Sequence, residues 1–226
     1  MPLKLALFDC DGTLADSQHH IVTAMLGAFA AVGLGPPDTA IVRASIGLSL
    51  PGLLARLATG ADAATLSRLA DAYRDTYFAA RSAAGAAPEP LYDGIIPALG
   101  SLAARGWALG IATGKSQRGL VRLLDAHGIC GRFITLQTAD GHPSKPDPSM
   151  AIAAMAQTGV APEDTVVIGD TVFDMDMARR AGARSIGVAW GYHTVGDLVA
   201  AGAAAIATVP ADLPGLLARL SDPGDD

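Results

Sequence analysis

Six short apolar runs punctuate the chain, at residues 3–8, 107–112, 132–136, 165–168, 185–189 and 204–208, and most of the stretches between them carry apolar residues at helical spacing. Strand-length runs alternating with helices predict an α/β fold: a doubly wound, Rossmann-like, mostly parallel sheet with helices on both faces. The first interval breaks the rhythm. Roughly 100 residues separate the first run from the second, where a crossover helix needs about a dozen. Nothing in that interval reads as a strand. Helices are predicted over 18–31, 39–44, 51–57 and 63–81, divided by glycine and proline signals. Residues 15–90 therefore form an expected four-helix cap with its linkers, inserted into a catalytic core made of 1–14 and 91–226. Segments 13–17 and 84–90 connect the two and suggest a hinge, and 221–226 reads as a frayed acidic tail.

Polar residues cluster where the apolar runs stop. The first run ends in Asp9-Cys10-Asp11-Gly12-Thr13, which puts two carboxylates at the carboxyl end of a buried strand, where open α/β sheets bind ligands. Two like charges this close call for a hard divalent cation such as Mg2+, and one carboxylate oxygen remains available as a nucleophile. The second run ends in Thr113-Gly114-Lys115 and the fourth in Gly169-Asp170, with Ser144-Lys145-Pro146 opening the helix before it. Together these supply carboxylates, a hydroxyl, backbone N–H donors and an ammonium, a set that matches a phosphoryl group.

Other polar residues have plainer readings. Cys10 alternates to the face opposite the two acids and reads as packing. Asp147, before Pro148, reads as a helix N-cap, and Asp176 as a first-turn acid. His19 and His20 read as surface or helix-start residues, and Trp190-Gly191-Tyr192-His193 either lines the rim or packs structurally.

Composition narrows the function classes. Of the 226 residues 50% are apolar and 17% charged, which fits a compact soluble enzyme or binding domain rather than a disordered or fibrous chain. A net charge of -6 with no basic block argues against nucleic acid as a partner. Two cysteines outside any CxxC pair argue against a disulfide framework or a zinc site. The N-terminal apolar stretch is too short for a signal peptide, and the longest uncharged run, 21–37, falls short of a membrane span. A cytoplasmic protein acting on a small molecule, away from membranes, is expected; monomer and homodimer both remain open.

In order along the chain, Asp9-Cys10-Asp11-Gly12-Thr13, Thr113, Lys145 in Lys-Pro-Asp-Pro, and Gly169-Asp170-Thr-Val-Phe-Asp174 resemble the four motifs of the haloacid dehalogenase superfamily of aspartate-nucleophile phosphohydrolases. The cap position is similar to that of its phosphoglycolate phosphatase-like branch. The resemblance implies that Asp9 attacks phosphorus, while Asp11 protonates the leaving oxygen and then activates water. It implies Mg2+ held by Asp9, Asp170, Asp174 and the backbone carbonyl of Asp11, phosphoryl oxygens bound by Thr113 and the Gly114 amide, and charge stabilised by Lys145. Arg43 and the loop 46–49 around Gly47 are implied readers of the substrate, with phosphoglycolate the leading candidate.

Alternatives are weaker. Gly110-Ile-Ala-Thr-Gly114-Lys115-Ser116 imitates a phosphate-binding loop, but Leu109 stands where that motif needs glycine. A phospho-receiver switch shares the acids, Thr and Lys but has no cap. A dehalogenase would lack Asp11. A pyrophosphatase or a sugar-phosphate mutase of the same superfamily stays open, although the aligned cap position of the mutase histidine is Ile21 here.

Overall fold

A computed structural model describes residues 3–82 and 87–221. Residues 84–86 of the expected return linker and 222–226 of the expected tail lie outside the described residues. Six strands, β1 (Lys4–Phe8), β2 (Trp107–Thr113), β3 (Thr135–Thr138), β4 (Thr165–Gly169), β5 (Arg184–Val188) and β6 (Ala205–Ala207), form one sheet in the order β3-β2-β1-β4-β5-β6. All five pairings are parallel. The chain winds outward from β1 to β3, then returns to β4 on the other side of β1. This is the doubly wound fold the pattern predicts, with the order reversing beside β1, where such sheets open a crevice.

Strand alternation sends Ala6, Phe8 and Cys10 to one face and Leu5 and Leu7 to the other. On the first face pack Leu99 and Leu102 of α5 (Ile95–Ala104), Leu120 and Leu124 of α6 (Gln117–Ala126) and Leu217 of α10 (Leu213–Ser221). On the second lie Met150 and Ala154 of α7 (Ser149–Thr158) and Met177 of α8 (Val172–Arg180). Leu198 of α9 (Val195–Ala200) is buried near Gly187, where an added Cβ would approach its side chain to 3.0 Å.

Between β1 and α5 stand four helices: α1 (Gln18–Ala31), α2 (Thr39–Arg43), α3 (Leu50–Leu57) and α4 (Ala63–Ser82). They share a separate core of Met25, Phe29, Val42, Leu54, Leu69 and Tyr77, among others. Their starts are legible: Asp38 caps α2 by accepting from Ala40 N, and Ser49 caps α3 with Pro51 in the first turn.

Two boundaries differ from expectation. The third strand starts at Thr135 because Cys130–Arg132 form a 3-10 turn, and the hydrogen bonding with β2 begins only at Ile134 N, 2.9 Å from Leu109 O. Pro148, rather than Asp147, holds the N-cap of α7, while Asp147 Oδ1 accepts from Ser149 N at 2.9 Å. Among the described residues no helix is long and apolar enough to cross a membrane.

Candidate active site

The carboxyl ends of β1, β2 and β4 converge on a buried carboxylate cluster. Asp9 continues β1 by donating its N–H to Ile168 O at 2.8 Å, which fixes the acid at the sheet edge. Asp170 follows β4, and Asp174 sits in the first turn of α8, where Thr171 N and Oγ1 donate to its Oδ2 at 3.1 and 2.7 Å. One oxygen from each of Asp9, Asp170 and Asp174 lies within 4.8 Å of the others. Lys145, fully buried, puts its Nζ 2.9 Å from Asp9 Oδ1 and 2.6 Å from Asp174 Oδ1.

One ammonium against three buried carboxylates leaves an excess of negative charge. Burial pushes the Asp9 carboxyl up to about 7; Asp174 and Asp11 push the same way and Lys145 opposes. Burial, then Asp9 and Asp174, hold Asp170 well above the usual carboxylate range. For Lys145 burial disfavours the ammonium, but Asp174 and Asp9 outweigh it and raise its pKa. Asp9 Oδ2 is buried and makes no hydrogen bond. Hard oxygens, excess negative charge and an unshared carboxylate oxygen form a donor set that fits Mg2+.

Asp170 is held tightly. Thr13 Oγ1 donates to its Oδ1 at 2.9 Å and Tyr192 N to its Oδ2 at 3.0 Å. Gly12, at φ +89°, passes so close that an added Cβ would stand 2.2 Å from Asp170 Oδ2, and one on Gly191 would stand 2.1 Å from Asp170 Cβ. Trp190 Nε1 donates to Thr13 O at 3.0 Å, so 190–192 clamps the loop after β1. Sequence reading left this segment between rim and packing; its place at the carboxyl end of β5 was the available signal.

Thr113 is buried at the end of β2 and accepts from Lys115 N at 3.2 Å. Gly114 lies directly under the α2–α3 loop, since an added Cβ would come within 2.4 Å of Leu48 O and 2.7 Å of Gly47 O. The same loop is tied down by Ser49 N donating to Ser144 Oγ at 2.9 Å, beside Lys145. Gly47 thus meets the core. Arg43 does not: as the last residue of a short helix whose buried residue is Val42, it is exposed and donates from Nε to Gln18 Oε1 at 3.2 Å. The expectation that Arg43 reads the substrate thus concerns an exposed side chain.

A buried network that sequence reading missed surrounds Asp11. Lys115 Nζ lies 2.8 Å from Asp11 Oδ1, 3.3 Å from Glu89 Oε2 and 3.1 Å from the Tyr77 hydroxyl. Tyr77 in turn donates to Glu89 Oε1, and Ser17 Oγ donates to Glu89 Oε2 at 2.9 Å. Burial disfavours the Lys115 ammonium, yet Asp11, Tyr77 and Glu89 raise its pKa well above normal. A lone acid between two prolines, Pro88-Glu89-Pro90, was the one hint in the chain.

Asp11 and Lys115 also border a cavity of about 390 Å³ that reaches between α3, α4 and α6. His19 and His20 face a different cavity of about 250 Å³, whose lining includes none of the acids. Asp176 pairs with Arg179 at 2.7 Å, away from the cluster. Cys10 is buried, and burial followed by Asp11 pushes its thiol well up, which suits packing and not nucleophilic chemistry.

A family model for haloacid dehalogenase-like hydrolases matches residues 6–188. A probable phosphatase, IndB, of Dickeya dadantii is 34% identical over 200 residues, which cover 87% of this chain and 86% of that one. A phosphoglycolate phosphatase of Rhodospirillum rubrum is 33% identical, with 84% and 80% covered. The crystal structure of a hydrolase from Pseudomonas syringae superposes with a TM-score of 0.84 at 28% identity, over 96% of this chain and 98% of its own. With the match running from β1 through β5 and so embracing every acid of the cluster, the chain belongs to the haloacid dehalogenase-like hydrolase family.

Proposed function

We propose that this enzyme is a Mg2+-dependent phosphatase that hydrolyses a small phosphate monoester through an aspartyl-phosphate on Asp9. The observation that carries the reading is the pairing of Asp9, buried with one oxygen unshared and held by Lys145, with a second acid, Asp11, two residues on. Asp9 attacks phosphorus, the bond to the leaving oxygen breaks, and Asp11 gives that oxygen its proton. Asp11 then takes a proton from the water that attacks phosphorus, releasing phosphate and restoring Asp9.

Thr113 Oγ1 and the Gly114 amide bind the phosphoryl oxygens, and Lys145 balances charge on nucleophile and phosphoryl group. Asp9, Asp170, Asp174 and the backbone carbonyl of Asp11 would hold Mg2+, which when bound neutralises charge on the phosphoryl oxygens. Lys115, fixed by Glu89 and Tyr77, positions the Asp11 carboxylate. Helices α1–α4 act as the cap, joined to the core through 13–17 on one side, and the approach of Gly47 and Leu48 to Gly114 supports a closed state that excludes bulk water.

Phosphoglycolate, named for several relatives, is the reference substrate. Ile21, apolar and lining the cavity where the mutase pattern places histidine, favours transfer to water over transfer to a sugar. The decisive experiment is rapid quenching with radiolabelled phosphoglycolate. Hydroxylamine-labile label should appear on the wild-type protein and not on Asp9→Asn; label on Asp9→Asn would overturn the nucleophile assignment.

A further inference from the structure

The 390 Å³ cavity is bordered by Asp11, which faces the leaving oxygen, and not by Asp9. Whatever is attached to the scissile oxygen therefore extends into it. At roughly 30 Å³ per water-sized unit, 390 Å³ has room for about a dozen non-hydrogen atoms, whereas glycolate supplies only about five.

The wall is also wrong for a carboxylate. Ile46, Leu53, Tyr73, Tyr77 and Phe78 supply apolar and aromatic surface. Three cations border the cavity, and Lys115 is the buried one. The three N–H donors of Lys115 already face Asp11, Glu89 and Tyr77. Arg74 is exposed and paired with Asp71 at 2.9 Å, and Arg118 is exposed with its guanidinium 4.3 Å from the Phe78 ring centre. Deep in this space a carboxylate would meet mostly apolar surface and a lysine whose three donors are already used, while the two arginines are exposed, so its burial there is costly.

The aromatic rings add their surface to this apolar lining. Tyr73 and Tyr77 stack with ring centres 5.7 Å apart, and Phe78 meets Tyr77 edge-on at 5.7 Å. Such a wall accepts a planar apolar body by offset or edge contacts.

We propose that the leaving group this phosphatase prefers is a primary alcohol carrying an aromatic or fused-ring body that fills the cavity between Asp11, α3 and α4, rather than a two-carbon hydroxy acid. The proposal rests on the phosphatase reading above and deepens it by naming the substrate class. The carboxylate cluster handles the phosphoryl end in the same way for every monoester, and discrimination comes from the fit of the alcohol.

A series of primary-alcohol monoesters tests this while keeping leaving-group chemistry similar: 2-phosphoglycolate, benzyl phosphate and 2-naphthylmethyl phosphate. The wild-type enzyme should show kcat/KM rising along the series, with the naphthyl ester at least about tenfold above phosphoglycolate. Phe78→Ala, which removes an aromatic face, and Leu50→Trp, which fills the cavity, should each lower the naphthyl-to-phosphoglycolate ratio by about tenfold. Leu50→Trp keeps the test informative should Phe78→Ala unfold. A higher kcat/KM for phosphoglycolate, or a ratio that neither variant moves, would overturn the substrate class and leave the phosphatase reading standing. No phosphate released from any of the three esters would overturn the phosphatase reading itself.

Discussion

At the scale of single residues the candidate site is a problem of buried charge. Lys145 holds Asp9 and Asp174 together with all three side chains buried, so neutralising it should cost far more than a surface pair would. Lys145→Met leaves two buried carboxylates unpaired and is expected to lose about 3–5 kcal/mol of stability along with nearly all phosphate release. Thermal unfolding and a phosphate assay on the same sample check both. Lys115 poses a subtler test, because it touches the acid rather than the nucleophile. Lys115→Met should lower kcat roughly a hundredfold for an alkyl phosphate and far less for p-nitrophenyl phosphate, whose leaving group needs no proton. Equal losses on both substrates would remove Lys115 from the positioning of Asp11. Asp9, Asp11, Thr113, Lys145, Asp170 and Asp174 could be singled out in the sequence because each sits in a short recognisable motif in or beside the segments that follow strands or precede helices. Lys115 stood beside Thr113 with nothing to mark it, and Tyr77 looked like any aromatic in an amphipathic helix. The meeting of Tyr77 with Glu89 spans 12 positions and that of Lys115 with Tyr77 spans 38, which no local pattern records.

Among the elements, the loop between α2 and α3 matters most, since it closes over β2. Gly114 accepts that loop only because it has no side chain: an added Cβ would lie 2.4 Å from the rigid backbone at Leu48. Gly114→Ala should push the loop off the core and reduce kcat/KM about a hundredfold through displacement of the order of 1 Å, with the circular dichroism spectrum unchanged. Wild-type activity in that variant would show that the contact is dispensable. Helix starts were readable because Ser and Asp caps announce themselves, as Ser49 and Asp38 do. The start of β3 was not. Phe133 is apolar and buried, so it extends the apolar run, yet it packs as the exit of a 3-10 turn. The exposure of Arg43 was not legible either, because which side chains a five-residue helix buries depends on how it docks, and here it buries Val42.

Across the whole molecule, stability and metal binding are linked through the acids. Asp9 is raised from 3.8 to about 7, and Asp170 is raised as well, so between those pH values the folded state binds more protons than the unfolded chain. The Asp9 contribution to stability is present at acid pH and is lost as pH rises through about 7, and that of Asp170 is lost in the same direction. Mg2+, if held by the deprotonated acids as proposed, would recover that loss. Added Mg2+ is therefore expected to raise the melting temperature more at pH 8 than at pH 5, as read by differential scanning fluorimetry; equal shifts would contradict the assignment of the cluster as its site. Chelation should abolish phosphate release, and chelator-resistant turnover would exclude the metal role.

The sequence alone determined the doubly wound sheet, the four helices inserted after β1, and the acids at its strand ends. Those features are written in local periodicity and in short motifs, where neighbours in the chain are neighbours in space. Only the tertiary structure decided how Lys115, Glu89 and Tyr77 enclose Asp11, how 190–193 clamps Asp170, and the size and chemistry of the cavity beside the acid. Each of these arises from side chains brought together by packing two cores against each other, and an interior surface of that kind has no counterpart in the order of the residues.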